Sequence, residues 1–169
     1  MSRTTTIGVI GGGQLARMMY APAISLGVNL RLLAEGPDVG AARVIKDVVV
    51  GDYTDDATVR EFAAGCDVIT FDHEHVPTRI LRDLVAEGTL VRPGPDALEH
   101  AQDKLLMRQR LTRALAAPAP IWRQCPDAAS LQRLWARPMT SPEDLEAAIN
   151  SDAMKLNDAN PLAVLLRVD

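Results

Sequence analysis

Short apolar runs alternate with amphipathic segments along roughly the first hundred residues of the chain. The runs are rich in Val, Ile and Leu, which is typical of buried strands, and the segments between them carry apolar residues at helical spacing. Because consecutive parallel strands need a crossover, this β-α-β alternation predicts an α/β fold with a doubly wound parallel sheet. The predicted strands are Ile7–Ile10, Asn29–Ala34, Asp47–Val50, Val68–Phe71 and Thr89–Arg92.

The segments between these strands have recognisable helix starts and one helix breaker. The predicted helices are Gln14–Leu26, Asp55–Ala64 and Pro77–Glu87. Thr54 and Asp55 are natural helix caps, and Pro77 suits a first helical position. Pro22 lies inside the first helix, where a missing N–H and a steric clash should kink or shorten it.

The pattern changes near residue 95, because all eleven glycines lie between Gly8 and Gly94. A helix is predicted over Ala101–Leu115, followed by an extended linker, "AAPAPIW", that enters a possible strand. Further helices are predicted at Asp127–Ala136 and Ser141–Ile149. We therefore expect one domain over residues 1–100 and a different, helical segment over residues 101–169.

Composition narrows the functional classes. A net charge of −4 gives no field that would draw the chain to nucleic acid or to an anionic membrane. No apolar run approaches the ~20 residues of a membrane-spanning helix, and Ile7–Ile10 is too short for a signal peptide. Cys66 and Cys125 match no metal or redox spacing, so we expect two reduced thiols in a cytoplasmic protein.

The first candidate site is the glycine turn in "IGVIGGGQLARMM", where Gly11–Ala16 fits G-x-G-x-x-A between a strand and a helix. Glycines allow a tight turn, and the helix N-terminus offers N–H groups to an anion. Glu35 lies 24 residues after Gly11, about where an acid would bind the ribose of a dinucleotide. An NAD(P) site and a tight turn without a cofactor both fit this pattern.

A second polar cluster, Asp72-His73-Glu74-His75, follows the strand Val68–Phe71 directly. Ligands of open α/β sheets bind at the carboxyl ends of strands, so single polar contacts to a ligand are expected here. The alternatives are a solvated loop and a metal site at His73 and His75. The metal interpretation is the weaker one, because no third ligand at helical spacing supports it.

Four motifs in register resemble a known family. "GGGQLARMM", "GDYTDDATVREFA", "CDVITFDHEHV" and "QDKLLMRQRL" are similar to the amino-terminal part of the 5-(carboxyamino)imidazole ribonucleotide synthases (PurK), which belong to the ATP-grasp superfamily. The resemblance runs over about residues 7–123. It implies a Rossmann-like pre-ATP-grasp domain followed by the start of an ATP-grasp domain, to about residues 123–135, and a divergent helical tail.

The resemblance implies a reaction in purine biosynthesis, in which a carbon–nitrogen ligase carboxylates 5-aminoimidazole ribonucleotide with ATP and bicarbonate. The implied partners are these three small molecules, with Mg²⁺ beside ATP in the full-length family, and neither nucleic acid nor a membrane. Full-length members of the family are usually dimers, so the resemblance also suggests a homodimer. The sequence itself leaves the oligomeric state open.

The resemblance also implies site residues. Gly13, Gln14 and Leu15 fall at the turn that faces the aminoimidazole ribonucleotide, and Glu74 matches an acidic residue facing the same substrate. Lys104 matches the first lysine that contacts ATP. The resemblance gives no role to Asp72 or His73, makes Glu35 no cofactor contact, and identifies neither a catalytic residue nor a metal ligand.

The resemblance ends before the elements that an ATP-grasp ligase needs around its phosphates. No glycine follows Gly94, so a glycine-rich loop over the phosphates is not found. Lys155 is the single lysine after Lys104, and no second nucleotide-binding lysine is recognised. We expect the chain alone to bind ATP unproductively and to be inactive. A truncated chain, a divergent frame after about residue 123, and a domain with another role remain open, as do an NAD(P)-binding module and a non-catalytic interaction domain.

Overall fold

A computed structural model of the chain describes residues 3–119, 122–125 and 162–165. The chain divides into two compact units, Met1–Gln102 and Asp103–Asp169. Among the described residues, no helix combines the length and apolar character needed to cross a membrane.

The first unit is built on a four-stranded parallel sheet. Its strands are β1 (Thr6–Ile10), β2 (Asn29–Ala34), β3 (Asp47–Val50) and β4 (Val68–Phe71). Their spatial order is β3-β2-β1-β4, so the chain moves outward from β1 on one side and then returns to pair β4 with its other side. In register, Ile10 pairs with Leu33 of β2 and with Phe71 of β4. This order confirms the predicted doubly wound sheet.

Helices cover both faces of the sheet. They are α1 (Gln14–Met18), α2 (Tyr20–Leu26), α3 (Asp56–Ala63), α4 (Thr78–Ala86) and α5 (Pro95–Gln102), with a short 3₁₀ segment at Ala41–Arg43. Neighbouring strand residues point to opposite faces, so Ile10 packs in one core cluster and Val9 in the other. The larger cluster joins Ile10 to Phe62 of α3 and Leu81 of α4, whereas the smaller cluster joins Val9 to Ala16 of α1.

The predicted first helix is interrupted, as Pro22 led us to expect. Helix α1 ends at Met18 and α2 begins at Tyr20, with Met19 as the cap between them. Pro22 has no N–H to donate to the carbonyl of Met18, and its ring would crowd that carbonyl in a continuous helix. The interruption therefore falls one turn before the proline.

Two other predicted elements differ from the structure. The expected strand Thr89–Arg92 is reduced to an isolated parallel bridge between Ile69 and Val91. Pro93 cannot donate to a ladder, and the turn at Gly88 immediately precedes the segment, so the pairing has no room to lengthen. Pro77 caps α4 and is not its first helical residue.

The predicted helix Ala101–Leu115 is also divided. Helix α5 ends at Gln102, α6 covers Lys104–Gln109, and a π-helical segment covers Arg110–Ala114. Asp103 adopts an extended conformation between α5 and α6, and its carboxylate accepts a hydrogen bond from the Leu106 N–H at 2.9 Å. This N-cap starts a new helix where continuous periodicity predicted one element.

The second unit contains α6, the π-helical segment and a two-stranded sheet. Strand β5 (Trp122–Cys125) pairs antiparallel with β6 (Leu162–Leu165). The expected strand after the "AAPAPIW" linker is thus present, but residues 162–165 form a strand within the tail that we predicted as helical. The apolar run of β6 satisfies its backbone through a partner strand, a long-range pairing that local periodicity does not reveal. The predicted helices Asp127–Ala136 and Ser141–Ile149 lie outside the described residues.

Candidate functional site

The glycine turn joins β1 to α1 in a conformation that other residues cannot adopt. Gly11 has φ +115°, and a Cβ atom built there would lie 1.7 Å from Oδ1 of Asp72. A Cβ at Gly12 would lie 2.4 Å from a methyl carbon of Val39. The Gly11 N–H donates to the Leu33 carbonyl at 2.8 Å, which ties the turn to β2. Close approach of three chain segments therefore requires these glycines.

Asp72 caps helix α1 from a different strand. It follows β4 directly, and its own N–H donates to the Ile10 carbonyl at 3.1 Å. Its Oδ2 accepts hydrogen bonds from the N–H groups of Gly13 at 2.8 Å and Ala16 at 3.4 Å. The Asp72 side chain is 4% exposed, and its Oδ1 has no hydrogen-bond partner among the residues that the structure describes. A buried carboxylate thus occupies the positive end of this helix.

His73 lies beside this carboxylate in a fixed orientation. Its Nδ1 accepts a hydrogen bond from the His75 N–H at 3.1 Å, which assigns the proton of the neutral ring to Nε2. That Nε2 lies 3.8 Å from Oε1 of Glu35 and 3.9 Å from Oδ1 of Asp72. The ring also contacts Tyr53, with centroids 4.8 Å apart. The imidazole therefore holds its N–H near two carboxylates.

These groups surround a cavity of about 420 Å³ at the carboxyl ends of β1, β2 and β4. The cavity is lined by Gly12, Gly13, Gln14, Leu15, Glu35, Val39, Gly40, Asp72 and His73. Its position is the topological switch point, where one crossover leaves β1 toward β2 and a later one returns to β4. Among these nine residues there are two carboxylates and neither a lysine nor an arginine.

Three of the five site residues expected from the sequence lie together at this cavity. Gly13, Gln14 and Leu15 form part of its wall, and all three are exposed. Glu74 is exposed and is not among the lining residues; its backbone carbonyl accepts a hydrogen bond from the Gln102 side chain at 2.7 Å. Lys104 is an exposed residue at the start of α6, in the second unit. The ligand contacts assigned to these residues stay predictions.

Three residues to which the resemblance gave no role also line the cavity. The sequence pattern raised Glu35 as a ribose-binding acid and Asp72 and His73 as polar ligand contacts. The resemblance then gave them no role, yet each contributes to the wall. The signal was their position, since Glu35 and Asp72 directly follow strands that neighbour β1 and His73 comes next after Asp72. The capping of α1 by Asp72 had no such signal, because it depends on the registration of β4 beside β1.

A metal ion does not fit the described part of this site. Among the described residues, no group of three or more His, Cys, Asp or Glu side chains is arranged to hold one. Glu35 and Asp72 approach Nε2 of His73 at 3.8 and 3.9 Å, but this nitrogen carries the proton of the neutral ring and has no lone pair for a metal. These three side chains therefore line the cavity as hydrogen-bonding groups.

Comparison with known proteins identifies the first unit by sequence. Residues 4–102 match the family model described as the ribonucleotide synthetase preATP-grasp domain. The matched segment includes β1–β4, the glycine turn and every residue that lines the cavity.

Individual relatives share this match over part of their length. The chain is 57% identical over 108 residues to N5-carboxyaminoimidazole ribonucleotide synthase of Mycobacterium bovis, covering 64% of this chain and 25% of that protein. The crystal structure of the corresponding synthetase from Thermotoga maritima has a TM-score of 0.68 and 32% identity, covering 77% of this chain and 36% of that one. The Aspergillus clavatus synthase, solved with ADP and 5-aminoimidazole ribonucleotide, has a TM-score of 0.66 and 28% identity, covering 79% and 36%. The chain thus spans about a quarter of the length of the first curated relatives it matches.

Proposed function

The chain belongs to the ribonucleotide synthetase preATP-grasp family, and we propose that it is the substrate-binding part of an N5-carboxyaminoimidazole ribonucleotide synthase. The reaction is the ATP- and bicarbonate-dependent carboxylation of 5-aminoimidazole ribonucleotide, a step of purine biosynthesis. The observation that carries the proposal is the cavity at the glycine turn, which lies wholly within the segment that matches the family.

The substrate contacts that we propose follow from the side chains at this cavity. Gln14 carries both a donor and an acceptor, so its amide can bind the aminoimidazole ring and its exocyclic amine. The backbone of Gly13 allows close approach, and Leu15 offers apolar surface to the ring. Glu74 follows the end of the neighbouring strand β4 and would accept hydrogen bonds from the amine or from ribose hydroxyls.

The geometry counts against a dinucleotide module. In that type of site the first helix directs its N-terminal N–H groups at a pyrophosphate. Here the N–H groups of Gly13 and Ala16 already donate to the Asp72 carboxylate. A pyrophosphate would have to displace a buried acid from its hydrogen bonds.

We assign the ATP-dependent part of the reaction to a full-length synthase, of which this chain matches about a quarter. By the resemblance, Lys104, which follows the matched residues 4–102, would contact ATP, and Mg²⁺ would neutralise the phosphates. We further propose a cytoplasmic protein, supported by the biosynthetic role of the relatives, and a homodimer of the full-length protein.

A titration followed by NMR tests the substrate site. Adding 5-aminoimidazole ribonucleotide to the chain should shift the amide signals of Gly13, Gln14 and Leu15 in a saturable way. Gln14→Ala should weaken binding by about tenfold, the loss of one to two hydrogen bonds. Gln109→Ala, the same change on α6, should leave the affinity unchanged. Saturable binding that leaves the turn signals unshifted would contradict the proposal.

A reaction assay tests whether this chain alone catalyses the ATP-dependent carboxylation. The 169-residue chain, given ATP, bicarbonate and 5-aminoimidazole ribonucleotide, should release no phosphate above the protein-free rate. A full-length relative provides the positive control. Substrate-dependent phosphate release by this chain would show that it carries the whole activity.

A further inference from the structure

We infer that two copies of this chain associate through the outer edges of their β3 strands, which pair antiparallel and join the two sheets into one continuous sheet. The partner is a second copy of the chain, because the edge is complementary to itself in hydrogen bonding, in apolar surface and in charge. Such pairing needs neither ATP nor the ribonucleotide, so it does not rest on the proposed reaction.

Strand β3 lies at one end of the sheet, and β2 is its partner strand among the described residues. The Gly51 N–H donates to the Ala34 carbonyl of β2 at 3.0 Å. Since successive residues of a strand direct their N–H and C=O groups to opposite sides, Val49 also bonds toward β2. Val48 and Val50 therefore direct their backbone groups outward, away from β2. Outward groups of this kind are a template for another strand.

The β3 edge lacks the features that usually keep an edge strand from pairing, such as a proline, a bulge or an unpaired charge. Its three valines follow one acid, Asp47, whose carboxylate lies 3.5 Å from Nε of Arg31 on β2 and is already paired within the chain. The side chain of Val50 is 55% exposed. By contrast, β4 at the other end of the sheet has a parallel bridge from Ile69 to Val91 on its outer side.

A two-fold axis beside Val49 gives the register that matches these outward groups. Val49 then lies opposite Val49 of the second copy as a pair without hydrogen bonds. Val48 lies opposite Val50 of the second copy, and the two residues exchange N–H···O=C bonds in both directions. The exposed Val50 side chain is covered by a valine on the same face of the joined sheet.

The charges that flank β3 are complementary in the same register. Lys46 precedes the strand and Asp52 follows it by two residues, and both are exposed. The axis beside Val49 places each Lys46 opposite Asp52 of the second copy, which adds a favourable cross-strand pair at both ends. An axis beside Val48 would instead place Lys46 opposite Val50. Charge complementarity therefore selects the first register.

Sedimentation and amide hydrogen exchange of the full chain test the edge directly. Because the paired edge is short, we expect a dissociation constant on the order of 100 µM, with a dimer at about 1 mM and a monomer at about 10 µM. Exchange of the Val48 and Val50 amides should slow at least about threefold at the higher concentration. The Val49 amide, bonded to β2, should exchange at the same rate in both samples. A monomer at about 1 mM, or a dimer without this protection, would overturn the inference.

Two variants with matched controls separate this edge from other surfaces. Val50→Pro removes an outward N–H that β2 does not use, so it should weaken association by at least about tenfold, whereas Val50→Thr keeps the N–H and should stay within about threefold of wild type. Lys46→Glu should also weaken association by about tenfold, whereas Arg17→Glu, the same charge reversal on α1, should not. Lys46 is exposed, so its variant decides the test if the proline unfolds the chain. A folded Lys46→Glu variant that associates as tightly as wild type would overturn the inference.

Disulfide cross-linking tests the register in a Cys66→Ala/Cys125→Ala background. Across the axis, the two Val49 Cβ atoms would lie about 5 Å apart, so Val49→Cys should form an intermolecular disulfide on mild oxidation. The two Val50 residues would lie about 7–8 Å apart on the diagonal, so Val50→Cys should cross-link at least about tenfold more slowly although it is the more exposed position. Faster cross-linking of Val50→Cys than of Val49→Cys would overturn the paired edge. Either result leaves the proposed reaction untouched, because the substrate titration does not depend on association.

Discussion

Gly11 is the residue on which the shape of the site depends most directly. Substitution by alanine would force a side chain into a φ of +115° and place its Cβ against Oδ1 of Asp72. The cap on α1 would have to move, so we expect Gly11→Ala to lower the free energy of unfolding by at least about 2 kcal/mol. Urea denaturation measures this loss.

Gly36→Ala is the matched control, because a Cβ at Gly36 meets nothing within 4 Å. We expect its free energy of unfolding to stay within about 0.5 kcal/mol of wild type. Equal stability of the two variants would mean that the turn relaxes without cost and that the contact with Asp72 does not restrict it.

Cys66, between α3 and β4, is a partly buried free thiol. Burial raises the pKa of its thiol, and its Sγ donates to the Phe62 carbonyl at 3.4 Å. In a Cys125→Ser background, the rate of alkylation by iodoacetamide should therefore rise with a midpoint above the ordinary thiol value of about 8.5. Because the unfolded thiol ionises first, stability should also fall as the pH rises past that ordinary value.

The same variant unfolded in urea is the control for Cys66, and its alkylation midpoint should return to the ordinary thiol value. A folded midpoint at or below that of the unfolded chain would contradict the effect of burial.

At the scale of elements, the strands were predictable and the helix boundaries were less so. Three strands, Asn29–Ala34, Asp47–Val50 and Val68–Phe71, have the predicted bounds because each is a short, mainly apolar run that stops before an acidic residue or a glycine. The divisions at Met19 and Asp103 interrupt periodic patterns that continue through them. Hydrophobic periodicity reports which face is buried, whereas these interruptions depend on backbone hydrogen bonding.

Helix α3 has the clearest side-chain cap in the first unit. The carboxylate of Asp55 accepts hydrogen bonds from the Thr58 hydroxyl at 2.6 Å and from the Thr58 N–H at 2.9 Å. These bonds, the hydroxyl first, lower the pKa of Asp55 below its ordinary value of 3.8. Asp55→Ala should lower the thermal unfolding midpoint by a few degrees at neutral pH.

The pH dependence of this loss follows from the direction of the pKa shift. Ionised Asp55 stabilises the folded chain above its ordinary pKa, and that contribution disappears as the pH falls through the lower folded value. The difference between wild type and Asp55→Ala should therefore shrink in acid. Asp55→Asn should retain most of the cap without this pH dependence. A difference that grows below pH 3.8 would contradict the assignment.

At the scale of the whole molecule, the sequence predicted where the cavity lies but not that two carboxylates line it. Gly13, Gln14 and Leu15 could be placed because the turn is contiguous in sequence. Asp72 and Glu35 join it only after β4 and β2 pair with opposite sides of β1. A charge that arrives through strand pairing has no local signature, so the acidic character of the cavity was not predictable from the turn alone.

The boundary of the first unit at Gln102 predicts where the chain can be shortened without loss of cooperative unfolding. Helix α5 contributes Leu98, which is 4% exposed, to the larger core cluster. The Gln102 side chain donates to the carbonyls of Glu74 at 2.7 Å and Val76 at 2.8 Å. A chain ending at Gln102 keeps these contacts, so we expect it to unfold cooperatively in urea.

A chain ending at Gly94 would lose α5 and uncover the core surface against which Leu98 packs. We expect it to be less stable than the chain ending at Gln102 by at least about 2 kcal/mol, the contribution of one buried leucine. Leu98→Ala in the full chain should cost a similar amount and separates lost packing from shortening. A gradual, non-cooperative urea transition for the chain ending at Gln102 would place the domain boundary elsewhere, because a domain with its own core unfolds as one unit.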